Sequence, residues 1–325
     1  MKTQSEYQNL IRTYAVPDRI LLATDLDDTE YLLPHAIAQA LATGATLTLV
    51  HVTPRAESIP LDASAIYSAD AAAILVEARW TLDGMAAKAY ASGVAANPIV
   101  CQGTPQRIIP ELVKTIGADR LILGTHGRRH MKKMLLGSVA LEILNSVEIP
   151  VCTIGPNAHT RPTPGTPKRI LHPVSLHPGH EQSARLALEM AQFYQAEITL
   201  LHVIDHDFGN EYRPAPAAES TRTAVERLIP DEAPLWTYVH AQVEVGGVVD
   251  HILNVATEMQ ADLIVLGIDP AEGYRPGSGD GIAYEVIIRA ACPVITARHG
   301  AEVSAEMSES KPAPGHAAGA FAGMF

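Results

Sequence analysis

Two successive doubly wound α/β/α domains, each with a five-stranded parallel sheet, are predicted by three features of the chain. It is written twice, short β-branched apolar runs alternate with helical stretches in each copy, and a Pro-, Gly- and Thr-rich segment divides the copies. A length of 325 residues agrees, at roughly 150 residues per domain.

Four landmarks recur in the same order. ILLATD at 20–25 returns as ILHPVS at 170–175, and TLTLVHV at 46–52 returns as EITLLHV at 197–203. GADRLILG at 117–124 returns as QADLIVLG at 260–267, and EIPVCTI at 148–154 returns as ACPVITA at 291–297. The displacement falls from 150 and 151 to 143, so the second copy is shorter in its middle.

In the first copy, strands are expected at 20–24, 46–52, 97–101, 120–124 and 149–154. Runs such as LTLVHV and RLILG are apolar throughout, the mark of strands covered on both faces in a parallel sheet. Helices are expected at about 30–43, 69–91, 105–116 and 138–147. Thr104 and Pro105 supply a start signal for the third, and Pro110 should kink it. The expected divisions are an N-terminal extension at 1–16, a first domain at 17–155, a linker at 156–168, a second domain at 169–298 and a disordered tail at 299–325.

Composition narrows the function. The formal net charge of -12 argues against a nucleic-acid or anionic-membrane binder. No apolar run approaches the ~20 residues that span a bilayer, and the N-terminus lacks a secretory apolar core. Cys101, Cys152 and Cys292 sit among apolar neighbours, without metal-like spacing. These features place the protein in the cytoplasm, without nucleic-acid or membrane partners.

The chemistry concentrates in LILGTHGRRHMKKMLLGSVALEIL at 121–144. Gly124 ends a buried strand, Gly127 follows, and Gly137 and Ser138 open a helix. Glycine lets a ligand approach the main chain, and the free N–H groups of a helix start attract anions. Arg128, Arg129, Lys132 and Lys133 add positive charge between them. No G-x4-G-K-[ST] loop and no dinucleotide fingerprint is present.

This G-x2-G-x9-G-S pattern resembles the ATP-binding signature of the universal stress protein family, as do GTPQRII at 103–109 and the closing IPVCTI strand. The resemblance implies a strand order of 3-2-1-4-5 and ATP, with or without Mg²⁺, as the cofactor. It implies phosphate contacts at Gly124, Gly127, Gly137 and Ser138, with Arg128 and Val139 beside them. Asp25 matches the family aspartate that contacts the nucleoside, and Val52 should offer backbone to adenine. Open α/β sheets bind ligands at the switch point beyond the strand ends, where Asp25 and Gly124 fall. Asp25, Asp27 and Asp28 could hold Mg²⁺, although a surface acidic turn is the blander reading. His51 and His202 occupy equivalent positions, which suggests packing rather than ligation.

The second copy departs from the pattern. Counting fourteen residues from Gly267 sets Asp280 and Gly281 against Gly137 and Ser138. Pro270 replaces Gly127, and Ser175 replaces Asp25. ATP is therefore expected in the first domain only. The resemblance further implies that the two closing strands pair within the chain, with a homodimer as a further expectation. The leading reading is a regulatory nucleotide-binding protein of the stress response rather than an enzyme. The alternatives are a slow ATPase or self-phosphorylating enzyme, and a structural protein that binds no nucleotide.

Overall fold

The computed structural model describes residues 14–54, 64–125, 136–158, 166–176, 181–205, 215–235, 237–268 and 281–298, with the side chains of 64–71, 215–218 and 234 set aside. The first half runs β1 (Arg19–Ala23), α1 (Thr29–Thr43), β2 (Thr46–Thr53), α2 (Ser64–Ala91), β3 (Ala96–Gln102), α3 (Pro105–Ile116), β4 (Arg120–Gly124), α4 (Ser138–Ser146) and β5 (Val151–Ile154). The second runs β6 (Arg169–Pro173), α5 (Glu181–Tyr194), β7 (Glu197–Ile204), α6 (Ala215–Glu226), β8 (Val239–Val245), α7 (Val248–Glu258), β9 (Leu263–Ile268), α8 (Ile282–Arg289) and β10 (Val294–Arg298).

Both halves have the order 3-2-1-4-5, and together they form one ten-stranded sheet, β3-β2-β1-β4-β5-β10-β9-β6-β7-β8. Strands are parallel within each half, as in the register Ile20↔Arg120 and Ala23↔Leu123 between β1 and β4. Alternate strand residues feed two cores, one on each face of the sheet. Ile20, Leu22 and Ile122 belong to the core that also takes in residues of α1, α2, α5 and α6, whereas Leu21, Leu121 and Leu123 belong to the core with residues of α3, α4, α7 and α8. Double-sided burial is why these strands read as continuous apolar runs. β3, at the sheet edge, is only half-buried and accommodates Pro98, which a central strand would not.

Three local expectations are refined. Thr104 is the N-cap of α3 and Pro105 its first residue, but the threonine hydroxyl makes no capping bond. α3 runs through Pro110 as one helix. α2 begins at Ser64, five residues before the expected start. The tail from 299 and linker residues 159–165 lie outside the described residues.

The halves meet where β5 and β10 pair antiparallel, with Cys152↔Ile295 at the centre and Thr153↔Val294 and Val151↔Thr296 beside it. Cys152 and Ile295 are equivalent in the repeat, so an approximate two-fold axis passes between them. Side chains obey the same symmetry. The Thr153 hydroxyl donates to the Val294 carbonyl at 3.0 Å, and the Thr296 hydroxyl donates to the Val151 carbonyl at 3.3 Å. This is the self-complementary joint of a two-fold dimer, here made inside one chain.

Candidate nucleotide site in the first half

β1 and β4 are the neighbouring strands at which the first sheet reverses its direction of growth. Beyond their carboxyl ends opens a cleft of about 580 Å³, within the ordinary range for small-molecule sites. Asp25, Val52, Gly124, Gly137, Ser138 and Val139 all line it. Residues far apart in sequence are thus gathered at one place. Gly127 and Arg128, the other two expected contacts, lie outside the described residues.

One wall is apolar, formed by Val50, Val52, Pro105 and Ile109. The start of α4 lines the same cleft. Gly137 is the N-cap, with φ -61° and ψ 143°, and no side chain caps the helix. Its own N–H donates to the Thr125 carbonyl at 3.1 Å. The first-turn donors that follow it, from Ser138 onward, are those a helix leaves without an intrahelical acceptor. An uncapped helix start facing a cleft favours an anion there.

The turn after β1 is held by four bonds. The Thr24 N–H donates to Val50 O at 3.0 Å, and His51 Nδ1 lies 2.9 Å from Thr24 O. The Leu26 N–H donates to the Thr24 hydroxyl at 2.9 Å, and the Asp27 N–H to Asp25 Oδ1 at 3.0 Å. Leu26 is bent to φ +73°. That bend separates the three aspartates: Asp25 and Asp27 are exposed, while Asp28 is 4% exposed. A shared surface acidic turn is therefore corrected, because Asp28 faces inward. Among the described residues no three His, Cys, Asp or Glu side chains are placed to share a metal ion.

Asp28 receives a bond from the Thr24 hydroxyl and packs beneath Gly124. A Cβ on Gly124 would lie 2.6 Å from Asp28 Oδ2, so no larger residue fits there without displacing the carboxyl. Burial, and then the neighbouring Asp25 charge, push the Asp28 carboxyl up to about 8, against the opposing effect of the Thr24 bond. At neutral pH it is mainly protonated. A carboxyl among the cleft's lining residues is thereby kept from repelling an anionic ligand.

Sequence reasoning missed the inward turn of Asp28, and it missed Leu136 and Tyr284. The Leu136 N–H donates to the Tyr284 hydroxyl at 3.2 Å. Tyr284 belongs to α8, so a side chain of the second half holds the residue that precedes the Gly137–Ser138 cap. A partner 148 residues away leaves no local signal.

The same turn exists in the second half. Leu176 has φ +55°, and His202 Nδ1 lies 2.7 Å from Val174 O, matching His51 and Thr24. These histidines hold a turn in both halves. The counted correspondence at α8 is corrected by one residue. Gly281 is its N-cap and Ile282 its first residue, so Gly281 stands for Gly137 and Ile282 for Ser138. Asp280 and Pro270 lie outside the described residues.

The description "Universal stress protein family" matches residues 17–154 and again 166–298. The chain belongs to the universal stress protein family. A universal stress protein of Methanocaldococcus jannaschii is 25% identical over 137 residues, covering 42% of this chain and 81% of that protein. The crystal structure of a universal stress protein from Archaeoglobus fulgidus superposes with a TM-score of 0.66 at 19% identity, covering 89% of this chain and 98% of the other. The crystal structure of a putative universal stress protein from Pseudomonas aeruginosa gives 0.56 at 17% identity, covering 88% and 95%. These structures establish a shared fold. No helix among the described residues is long and apolar enough to cross a membrane.

Proposed function

We propose that the first half binds ATP in the β1–β4 cleft and that the protein acts as a nucleotide-binding regulator in a stress response. The observation that carries this reading is the uncapped start of α4 at Gly137 and Ser138, which lines one cleft together with the apolar Val52 and Ile109. A nucleotide has a part for each. Phosphate would meet the N–H groups of α4 with Gly124, Gly127 and Arg128, adenine would meet the Val52 strand, and Asp25 would meet the ribose. Asp25, exposed in the cleft wall, is the carboxylate available to a Mg²⁺ held by the phosphates.

The second half is the partner rather than a second ATP site. Ile282 replaces Ser138 at the helix start, and Ser175 replaces Asp25. We take 17–155 and 169–298 as the two domains, 156–168 as their linker, and the β5–β10 joint as their arrangement in solution.

Nucleotide released from the freshly purified protein by denaturation, then separated by chromatography, tests the reading. About one adenine nucleotide per chain is expected. An empty protein that also ignored added ATP and Mg²⁺ would remove it. ATP recovered unchanged after long incubation would separate binding from slow hydrolysis.

A further inference from the structure

A second cavity, of about 300 Å³, lies at the seam between the halves. It is walled by α1 and the start of β4 on one side, and by residues 166–169, α5, β9 and β10 on the other. Arg120 lines it and is fully buried, at 0% exposure. Two of its guanidinium nitrogens are engaged, Nη1 donating to Gln39 Oε1 at 3.2 Å and Nη2 to the Tyr14 carbonyl. Its Nε is buried without a hydrogen-bond partner.

An arginine stays charged in a protein, and a buried charge lacking a counter-ion is costly. No described carboxylate forms an ion pair with Arg120. Burial works against its charge, and the neighbours that would favour it are Tyr194, Cys152 and Asp119, in that order. The first two are poor counter-ions, since burial raises both and keeps them neutral. Asp119 already accepts the backbone N–H groups of Asp18 and Arg19, at 3.0 and 3.1 Å. Asp262, which also lines the cavity, accepts the backbone N–H groups of Lys168 and Arg169 at 3.0 Å and pairs with the Arg169 guanidinium at 3.8 Å, so negative charge is short at Arg120 itself.

The repeat sharpens the point. The residues equivalent to Arg120 and Gln39 in the second half are Leu263 and Met190, and both line the same cavity. Across the seam the second half also presents Pro293 and Ile295. The first half thus offers the Arg120 cation and the Gln39 amide, and the second contributes apolar Met190, Leu263, Pro293 and Ile295 together with Lys168, Arg169 and Asp262.

We propose that the seam cavity is a second ligand site, which takes a small organic carboxylate whose anionic head meets Arg120 and whose apolar body lies against Met190, Leu263 and Ile295. Such a ligand would touch both halves at once and so stabilise their junction. The site is separate from the β1–β4 cleft and independent of what that cleft binds.

Benzoate is the probe, with benzamide as its neutral counterpart and inorganic phosphate as an anion without an apolar body. Binding to the full chain is followed by calorimetry and by the rise in melting temperature. Benzoate should bind and raise the midpoint, with benzamide and phosphate at least tenfold weaker. Arg120→Leu, which copies the second half, should lose the benzoate response and still fold, because it removes an unpaired buried charge. Ala38→Leu, which narrows the cavity and leaves the guanidinium in place, should lose it as well. The Ala38→Leu result decides the matter if Arg120→Leu does not fold. Benzoate binding that survives in the folded variants would overturn the proposal. So would no binding to the wild type, or equal binding of benzamide or phosphate.

Discussion

In the first half the helix after the fourth strand opens on Gly137 and Ser138; in the second the matching helix opens on Gly281 and Ile282. Around that difference the halves are close copies. Each bends a leucine to positive φ after its first strand, and each ties that turn to a histidine on the second strand. Each also sets an aspartate, Asp119 or Asp262, beneath two N–H groups that lead into its first strand. Features kept in both halves serve the scaffold, so backbone strain at Leu26 is no mark of a ligand site. Features present once, namely Ser138, the exposed Asp25 and the buried Arg120, are those that point to ligands.

The comparison is broken most directly by Ser138→Asp. A carboxylate at a helix start suits the helix by about 0.3–1 kcal/mol but would oppose a phosphate. Nucleotide affinity should fall on the order of a hundredfold while thermal stability holds or rises, as read by calorimetry and melting. Equal losses of both would show that Ser138 serves folding alone.

Asp28→Asn separates the halves by pH. The folded-state pKa of Asp28, about 8, lies above the ordinary carboxylate value. Between about pH 4 and 8 the folded protein therefore keeps a proton that the unfolded chain has released. Its contribution is fully present below pH 4 and is lost as pH rises through 8. Wild-type stability should decline across that window by up to about 1.4 kcal/mol per pH unit. Denaturant melts of Asp28→Asn should show a flatter profile and a gain near pH 8; an unchanged profile would place the proton elsewhere.

Tyr284→Phe removes the bond by which the second half holds Leu136. Leaving that N–H unpaired should cost roughly 1–3 kcal/mol and weaken nucleotide binding several-fold. A loss of stability with affinity untouched would make Tyr284 a packing residue only. The smallest effect is expected at two helix ends. Gly44 and Gly117, at φ +74° and +60°, are matched in the second half by Gln195 and Gln260, both at φ +50°. Glycine at each glutamine position should raise stability by up to about 1 kcal/mol, measured by melting.

The parts of the molecule legible in the sequence are those that depend on local pattern. LTLVHV became β2 and RLILG became β4 because two-sided burial leaves no polar alternation. Gly137 and Ser138 announced a helix start, and α4 begins there. The acidic run DLDD was opaque, since Leu26 at positive φ turns Asp28 inward, and nothing in four letters reveals that torsion. Counting from Gly267 misaligned α8 by one residue, because a loop can gain a residue while the cap keeps its place. Nothing in RLILG sets Arg120 apart. Its burial depends on how α1 and α5 close over the seam, which is a tertiary event.

As the proposed arrangement of the halves in solution, the antiparallel joint of β5 and β10 would also govern how the protein responds to dilution. Two separate chains joined by such strands would part as their concentration fell. Here the partner strand is tethered, and closure is a first-order event whose equilibrium does not depend on how many copies are present. A melting temperature that stayed constant over a thousandfold dilution would be its signature. The first half thus keeps the Tyr284 contact beside its cleft even when the protein is scarce.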